Sequence, residues 1–452
     1  MIPSRPIAKN RLGLVFFPAY DWAISPDHPE REERLLYTHD QIREEGLLDL
    51  EGIDEFKPEL AEKEDVARVH IPVPDVESLV TNSHLISAGG AITAARHYKE
   101  GRVDKAFAMV RPPGHHAFRV SHGGRGFCHI NNEAIMVEWL RTHYNPEMKI
   151  AFIDTDAHHA DGTQDIYYHD PNVLHISIHQ DGRTLFPGTG FTREIGGPGA
   201  MAKTLNIPLP PGTTDEGYLY VIKKLVLPIL EDFQPDLIIN SAGQDNHYSD
   251  PLTRMGITAQ GYAQLNHLLN PDLAVLQGGY SIEDALPYIN LGILLAMAGL
   301  DYSYLKEPDF HPSRIQQDPS TMDRIKKVVE QVAYYWQNKD RLHSDEFEEL
   351  GDGYYQRERN IFYDTDSISE DQKEVVKVCS SKDCPGYILI ESKASQLGRH
   401  IAGKSIGAVI IPRLACKTCQ REAREKFVQY KEEKRYHHLY LQDQTKEEYI
   451  KV

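Results

Sequence analysis

Short apolar runs recur along the first 300 positions and alternate with longer amphipathic segments. The runs begin near Leu12, Lys105, Lys149, Val173, Leu205, Leu237 and Leu273. Apolar residues at helical spacing mark 131–143, 215–233 and 258–269, and 83–98 reads as a further helix rich in small residues. Regular alternation of strands and helices is typical of a parallel sheet. We therefore predict an α/β fold.

Several apolar runs end in side chains that bind metals or move protons. The segments that carry them are 111–116, 154–159, 161–163, 175–179, 243–245 and 278–280. Ligands of open parallel sheets lie beyond the carboxyl ends of the strands, so we expect these segments to converge on one crevice.

Three of these residues suit a catalytic zinc. Asp156 and His158 are two positions apart, which places both side chains on one side of an extended segment and leaves Asp154 for a supporting role. Asp245 is the natural third ligand, because it follows another apolar strand. A lone Asp after a strand is more often a turn or a helix cap, but three such sites in one chain favour a metal. Catalytic zinc takes three protein ligands and leaves a position for water.

Proton-transfer groups accompany this metal site. His115 and His116 follow the turn Arg111-Pro-Pro-Gly, whose prolines fix the backbone. Imidazole titrates near neutral pH, so the pair suits general base and acid work, with Asp154 and Asp161 available as partners. Tyr280 offers a phenol that could donate to a developing oxyanion. Together these groups predict hydrolysis at a carbonyl by an activated water.

Six ordered motifs carry a family resemblance over about residues 10–300. They lie at 109–117, 126–132, 154–164, 186–190, 241–245 and 278–280. In this order they resemble the zinc-dependent histone deacetylase family, and the first resembles its class II-like members and their bacterial relatives, including acetylpolyamine amidohydrolases. The resemblance implies the arginase/deacetylase fold, a three-layer α/β/α sandwich around a mostly parallel sheet.

The resemblance also implies roles for the site residues. Zinc ligands would be Asp156, His158 and Asp245. His116, with Asp161 behind it, would be the general base and acid, while His115, with Asp154 behind it, would orient water. Tyr280 would polarise the acyl carbonyl.

Further family features map onto the tunnel and onto monovalent cation sites for K⁺ or Na⁺. Gly126, Phe127 and Phe186 would line the tunnel that holds the acyl-lysine stem, and Leu252 would lie at its entrance. The inner cation site maps to Asp154, Asp156, His158, Ser177 and Ile178, and an outer one to Tyr167, Asp170 and Val173. Asp75 is a candidate rim acid for the substrate backbone.

The last part of the chain departs from the family pattern. The pairs Cys379/Cys384 and Cys416/Cys419 resemble a structural zinc site, with four reduced thiols in a small core as the alternative. We expect Cys128 to be a packing residue. The predicted domains are a deacetylase catalytic domain at 1–310, a helical and acidic connecting segment at 311–375, with a helix at 322–337, and a zinc-ribbon-like domain with a basic helix at 376–452.

Charge and composition limit the classes of substrate and partner that we expect the protein to bind. Of the 452 residues, 40% are hydrophobic and the net charge is −18. Residues 376–452 carry 15 Lys and Arg against 9 Asp and Glu, a net +6, which leaves −24 for the rest. An acidic body favours cationic substrates and argues against specific nucleic-acid binding. No signal segment or long apolar span is visible, so we expect a cytoplasmic protein, no membrane partner and reduced cysteines. An oligomer is possible.

Three functions fit these observations. The first is deacetylation of acetyl-lysine in proteins or peptides, and the second is hydrolysis of an acetylpolyamine or another small acetylated amine. The third is a catalytically weak acyl-lysine-binding protein, which the complete set of catalytic residues argues against. Polyamine-selective relatives carry a glutamate at the position of Leu252, so the leucine favours acetyl-lysine.

Overall fold

A computed structural model describes residues 7–25, 27–72, 80–381, 384–396 and 405–452. The helices are α1 Glu33–Glu44, α2 Lys63–Ala67, α3 Asn82–Lys99, α4 Asn132–His143, α5 Asp161–Tyr167, α6 Asp215–Val221, α7 Leu227–Phe233, α8 Ala259–Leu269, α9 Leu286–Ala298, α10 Pro319–Gln337 and α11 Lys417–Glu433. Strands β1 to β10 are Leu12–Phe17, Ile53–Phe56, Ile71–Pro72, Lys105–Val110, Val120–Ser121, Ile150–Asp154, Val173–Gln180, Thr204–Leu209, Leu237–Ala242 and Leu273–Leu276. Strands β11 to β17 are Glu348–Gly351, Tyr354–Tyr363, Ile368–Lys377, Tyr387–Gln396, Ser405–Ile411, His438–Asp443 and Glu448–Lys451.

Eight strands form the first sheet, in the order β2-β1-β4-β10-β9-β6-β7-β8. Every neighbouring pair in it is parallel. The seven predicted strands and the five predicted helices are all present, which confirms the α/β prediction. Strand β2 was not predicted.

Helices cover both faces of this sheet, because successive residues of each strand point to opposite sides. In β6, Ala151 and Ile153 join a core with α1 and α6 to α10, whereas Ile150 and Phe152 join a second core with α3 and α4. The resulting three layers confirm the predicted sandwich.

A second, seven-stranded sheet follows α10, in the order β11 to β17. Its strands pair antiparallel except β15 and β16, which run parallel and are joined through α11. Ala423 and Phe427 of this helix pack on one face of the sheet, against Leu389 and Val409. The four cysteines lie at this face.

The other face of the second sheet packs against the first unit. Val376, Ile390 and Ala408 share a buried cluster with Val120 and Tyr168. Polar pairs surround it: His169–Glu374 at 3.1 Å, Arg119–Gln442 at 2.7 Å, and an ion pair between Arg359 and Asp165. The interface is thus both apolar and charge-paired.

The second sheet crosses the predicted boundary at residue 376. Strands β11 to β13 span residues 348–377, of which 348–375 were expected to lie in a connecting segment, and α10 packs on the first sheet through Ile325, Val329 and Trp336. The reason is that the buried face of β13 is polar: Glu370, Gln372 and Glu374 are 4% exposed or less. A search for apolar alternation does not detect such a strand.

Among the described residues, we find no helix that combines the length and the apolar character needed to cross a membrane.

Candidate active site

The three predicted metal ligands meet at the carboxyl ends of β6 and β9. One ligand atom each from Asp156, His158 and Asp245 lies within 4.8 Å of the other two. His158 Nδ1 is 3.0 Å from Asp156 Oδ1 and 2.9 Å from Asp245 Oδ2. Both carboxylates are fully buried. The arrangement offers two oxygen ligands and one nitrogen ligand to a single ion.

Two glycines make room for these carboxylates. A Cβ at Gly243 would lie 2.3 Å from Asp156 Oδ2, and one at Gly278 would lie 2.5 Å from Asp245 Oδ2. Backbone amides then orient the carboxylates: Gly278 N donates to Asp156 Oδ2 and Ala157 N to Asp245 Oδ1, each at 2.7 Å. Any side chain at the two glycines would displace a ligand.

The donor set fits a divalent metal such as zinc. Asp154, Asp156 and Asp245 are buried together, and buried carboxylates require compensating positive charge. Burial and the charge of Asp156 raise the pKa of Asp245 to about 6, as expected for a carboxylate short of a counter-ion. One His and two Asp ligands match the residue types of catalytic zinc sites.

His116 is held by a carboxylate that also pairs with an arginine. Its Nδ1 lies 2.7 Å from Asp161 Oδ1, and Arg125 Nε donates to Asp161 Oδ2 at 2.7 Å. Burial, with the charge of His115, lowers the pKa of His116 to about 3. Although burial opposes it, Arg125 and His116 hold the pKa of Asp161 below its usual value. His116 is therefore neutral, and its Nε2 is able to accept a proton.

His115 lies beside the candidate metal ligands. Its Nδ1 is 3.1 Å from Asp154 Oδ2, and its Nε2 is 3.8 Å from Asp156 Oδ2. Burial lowers the pKa of His115, but Asp156 and Asp154 outweigh it and raise the pKa to about 9. His115 is therefore positively charged near neutral pH, whereas His116 is neutral.

Tyr280 stands across the site on a tightly held loop. Its backbone N donates to Asp250 Oδ2 at 2.8 Å, and Arg34 donates to the carbonyls of Gln277 and Gly279, both at 2.6 Å. Burial raises the pKa of the Tyr280 phenol well above its usual value, although Arg34 opposes the shift. The phenol therefore stays protonated and able to donate.

A cavity of about 220 Å³ connects these groups. Its lining residues are Pro113, His115, His116, Gly126, Phe127, His158, Leu185, Phe186, Leu252, Gly278, Tyr280 and Asp364. All four predicted tunnel residues are among them. Gly126 is required at its position, because a Cβ there would lie 2.3 Å from the His116 ring.

Sequence reasoning missed the residues that hold these groups in place. Arg125 and Asp250 lie near the motifs, whereas Arg34 lies far before the first one. Only the fold shows which group each of the three contacts. Asp364 lies about 80 residues beyond the last motif, and no sequence pattern connects it to the site.

The monovalent cation sites remain predictions. Ser177 lies opposite Asp154 in the β6–β7 register, close to the metal ligands. The carbonyl of Ile178 accepts a hydrogen bond from the Tyr218 hydroxyl at 3.3 Å. In the outer set, the Asp170 carboxylate pairs with Arg141 at 2.5 Å, while Tyr167 ends α5 and Val173 begins β7. Asp75 lies outside the described residues.

The four C-terminal cysteines also converge. Their sulfur atoms all lie within 4.8 Å of one another, and none forms a disulfide. Backbone amides point at two of the sulfurs: Cys416 N donates to Cys384 Sγ at 3.1 Å, and Ser381 N to Cys379 Sγ at 3.4 Å. Cys128 is fully buried and lies outside this cluster.

Known proteins match both the sequence and the fold. Residues 74–290 match the family described as histone deacetylase domain. A probable deacetylase of Archaeoglobus fulgidus is 44% identical over 358 residues, covering 72% of this chain and 98% of that protein. The acetoin utilization protein AcuC of Bacillus subtilis is 31% identical over 336 residues, covering 66% of this chain and 84% of that protein. In fold, the chain is similar to the crystal structure of the HDA15 HD domain, with a TM-score of 0.63 and 24% identity over 73% of this chain and 96% of that one.

Proposed function

This chain belongs to the histone deacetylase family, and from that premise we propose that it removes acetyl groups from acetyl-lysine in proteins or peptides. Deacetylase or amidohydrolase activity is the general property of the family. The choice of acetyl-lysine as substrate and the metal-assisted route are our proposals.

One observation supports this function above all others. His158, two further histidines and a protonated tyrosine line one cavity of about 220 Å³, and ligand atoms of Asp156 and Asp245 lie within 4.8 Å of His158. The cavity offers the aromatic walls of Phe127 and Phe186 to an alkyl stem, while the histidines, Tyr280 and Asp364 supply its polar groups. This arrangement suits an amide carried on a long aliphatic chain.

Asp156, His158 and Asp245 would hold the metal, most simply zinc. A metal bound there supplies Lewis-acid chemistry, polarising the carbonyl and lowering the pKa of water. His116 Nε2 takes a proton from the attacking water and later returns it to the leaving amine, while Asp161 keeps the Nδ1 proton in place. The Tyr280 phenol donates to the carbonyl oxygen as negative charge develops there.

The cavity mouth favours acetyl-lysine over acetylpolyamines. Leu252 is 39% exposed at the rim, and Leu185 lies beside it. An apolar side chain at this position offers no partner to the distal ammonium of a polyamine. The main chain of a peptide substrate carries no charge and can lie against this apolar rim.

A substrate panel tests the proposal. Acetyl-lysine peptides, longer acyl-lysine peptides, acetylputrescine and N-acetylspermidine would be compared by kcat/KM on the zinc-loaded protein. We expect the highest value for an acyl-lysine peptide. Leu252→Glu should raise the relative kcat/KM of acetylpolyamines roughly 5- to 150-fold, the effect of about 1 to 3 kcal/mol from one charge pair. Efficient hydrolysis of acetylpolyamines with no turnover of acyl-lysine peptides would contradict the proposal.

We further propose that Cys379, Cys384, Cys416 and Cys419 bind a structural zinc. Four converging thiols with amides directed at their sulfurs form a closed donor set without a position for substrate. The cluster joins the β13–β14 connection to the start of α11. A metal there would stabilise one end of the second sheet, in a compartment that keeps thiols reduced, such as the cytoplasm.

A further inference from the structure

A buried glutamate lies behind the active site without being one of its candidate metal ligands or proton-transfer groups. Glu133 is in the first turn of α4, where the positive end of the helix dipole favours a carboxylate. The residue is completely shielded from solvent. A buried carboxylate is costly unless hydrogen bonds satisfy its oxygens, so the hydrogen-bond partners of Glu133 indicate its role.

Three donors from three different segments converge on this carboxylate. Thr163 Oγ1 donates to Glu133 Oε1 at 2.8 Å. Ser241 Oγ and Gln277 Nε2 donate to Oε2, at 2.5 and 3.2 Å. Thr163 lies in α5, Ser241 lies in β9, and Gln277 directly follows β10. Glu133 therefore connects the segments that carry the partner of the candidate base, the third candidate metal ligand and the tyrosine.

Two of these donors also hold the main chain of His115. Gln277 Oε1 accepts from the backbone amides of Gly114 and His115, at 3.1 and 3.2 Å. On the other side, Thr163 N donates to the His115 carbonyl at 3.0 Å. Both backbone polar groups of His115 are thus fixed by residues whose side chains contact Glu133. The backbone of the histidine pair is consequently held from two sides, and Glu133 connects the two.

Glu133 also determines how the side-chain amide of Gln277 is oriented. An ionised carboxylate offers only acceptors, so it attracts the amide NH₂ group and leaves the amide oxygen facing Gly114 and His115. The reverse orientation would turn the NH₂ group towards two backbone N–H groups, which are donors as well. A wrongly oriented amide would therefore release the turn that carries the histidine pair.

We propose that Glu133 is a positioning residue that acts through Gln277 and Thr163. It holds the histidine pair, His115 and His116, in the geometry that deacetylation needs, and this inference rests on the proposed function. A displacement of about 1 Å at a catalytic group can cost about 10²-fold in rate. We expect metal binding to be little affected, because backbone amides already orient two of the candidate ligands.

Replacement of Glu133 tests its contacts with Gln277 and Thr163. In Glu133→Gln the single amide oxygen can face Gln277 or Thr163 but not both, so we expect kcat on an acetyl-lysine peptide to fall about 10-fold. Glu133→Ala removes both contacts and should lower kcat about 10- to 100-fold. In both variants, KM and the metal content should stay close to those of the wild type.

Reciprocal exchange of the two side chains should restore the reaction. In the double variant Glu133→Gln, Gln277→Glu, the exchange variant, donor and acceptor change places. Both ends of the carboxylate at position 277 are acceptors, so either orientation serves the amides of Gly114 and His115. We expect kcat to recover to within about threefold of the wild type, as a direct contact requires. An exchange variant as slow as Glu133→Gln would overturn the proposal.

Glu138→Gln is the matched control. Glu138 is buried on the same helix but binds Arg141 and Arg413. This variant should unfold at a lower temperature while kcat stays within about twofold of the wild type. Wild-type kcat in Glu133→Ala, or a parallel loss of kcat, metal content and thermal stability in the Glu133 and Glu138 variants, would show that Glu133 only supports the fold. If Glu133→Ala does not fold, Glu133→Gln and the exchange variant decide the question.

NMR gives a readout that does not depend on turnover. An imidazole N–H bonded to a carboxylate should give a proton resonance far downfield, as expected for His115 and His116. We expect these resonances to shift or broaden in Glu133→Gln, to return in the exchange variant and to stay unchanged in Glu138→Gln. Unchanged resonances in every Glu133 variant would overturn the proposal. If the proposed function itself failed, the wild type would not hydrolyse the peptide, but the resonances would still respond to Glu133.

Discussion

Asp161 accepts a hydrogen bond from His116 Nδ1 at 2.7 Å, and this contact decides which ring nitrogen of the histidine remains a base. Because Arg125 holds the other carboxylate oxygen, Asp161 cannot rotate away. An asparagine here would turn an amide NH₂ towards either the arginine or the histidine, and both are donors. The wrong tautomer or a displaced ring would follow.

Asp161→Asn should therefore lower kcat by roughly 10²- to 10⁴-fold, the range for a disabled general base. Steady-state kinetics on an acetyl-lysine peptide checks this. Asp272→Asn is a suitable control, since Asp272 binds the Ile238 amide at the opposite end of the sheet. Wild-type kcat in Asp161→Asn would show that His116 is not the base.

Tyr280→Phe removes only the phenol oxygen. The aromatic packing with Phe127, at 5.8 Å between ring centroids, is kept, so the fold should be unchanged. We expect kcat to fall about 10²- to 10³-fold, because one oxyanion donor is lost. Metal content should stay at the wild-type value. A variant with full kcat on its best substrate would remove Tyr280 from the mechanism.

The double variant Cys416→Ser, Cys419→Ser should lose one zinc per chain and unfold more readily than the wild type. Thiolate ligation contributes folding free energy, which these substitutions remove. Zinc would be counted by elemental analysis, with about two per chain expected for the wild type. Cys128→Ala changes a buried cysteine outside the cluster and should keep both zinc ions. If the wild type contained one zinc per chain and all four thiols were freely titratable, the result would contradict a zinc site at the cysteines.

Because His70 is buried and neutral, we predict that the free energy of unfolding decreases at mildly acidic pH. Its Nδ1 lies 2.8 Å from the Phe118 carbonyl, its Nε2 accepts from Asn131 N at 2.8 Å, and burial lowers its pKa to about 4. In the unfolded chain His titrates near 6.5, so stability is complete above that pH and is lost as pH falls towards 4.

Urea unfolding at pH 7.5 and pH 5 measures this effect. His70 alone should account for about 2 kcal/mol of the decrease, so His70→Gln should show a shallower fall by that amount. The exposed His343→Gln should behave as the wild type. An identical pH dependence in His70→Gln would contradict the assignment.

The sequence predicted most of the first sheet because most of its strands are buried, whereas the half-exposed β2 was missed. Strand β4 has six buried residues in succession, and all of them after Lys105 form a continuous apolar run. The convergence of Asp156, His158 and Asp245 was also predictable, since all three closely follow such runs. Local sequence was sufficient wherever a strand end fixed a side chain in the crevice.

The second sheet escaped prediction for a physical reason. Its β13 strand buries Glu374 against His169 of the first unit and Arg357 of β12, so charge pairing takes the place of apolar contact at this position. Asp364 reaches the cavity only through this docking. A contact between two distant segments leaves no periodic pattern in the sequence of either segment.

Zinc content and turnover of Asp245→Ala, measured on the same sample, test most directly the claim that hydrolysis depends on a metal held by Asp156, His158 and Asp245. The account predicts a decrease from about two zinc ions per chain to about one, the remaining ion being held by the cysteines, together with the loss of nearly all acetyl-lysine hydrolysis. Full turnover in a preparation that has lost the metal of this site would contradict it.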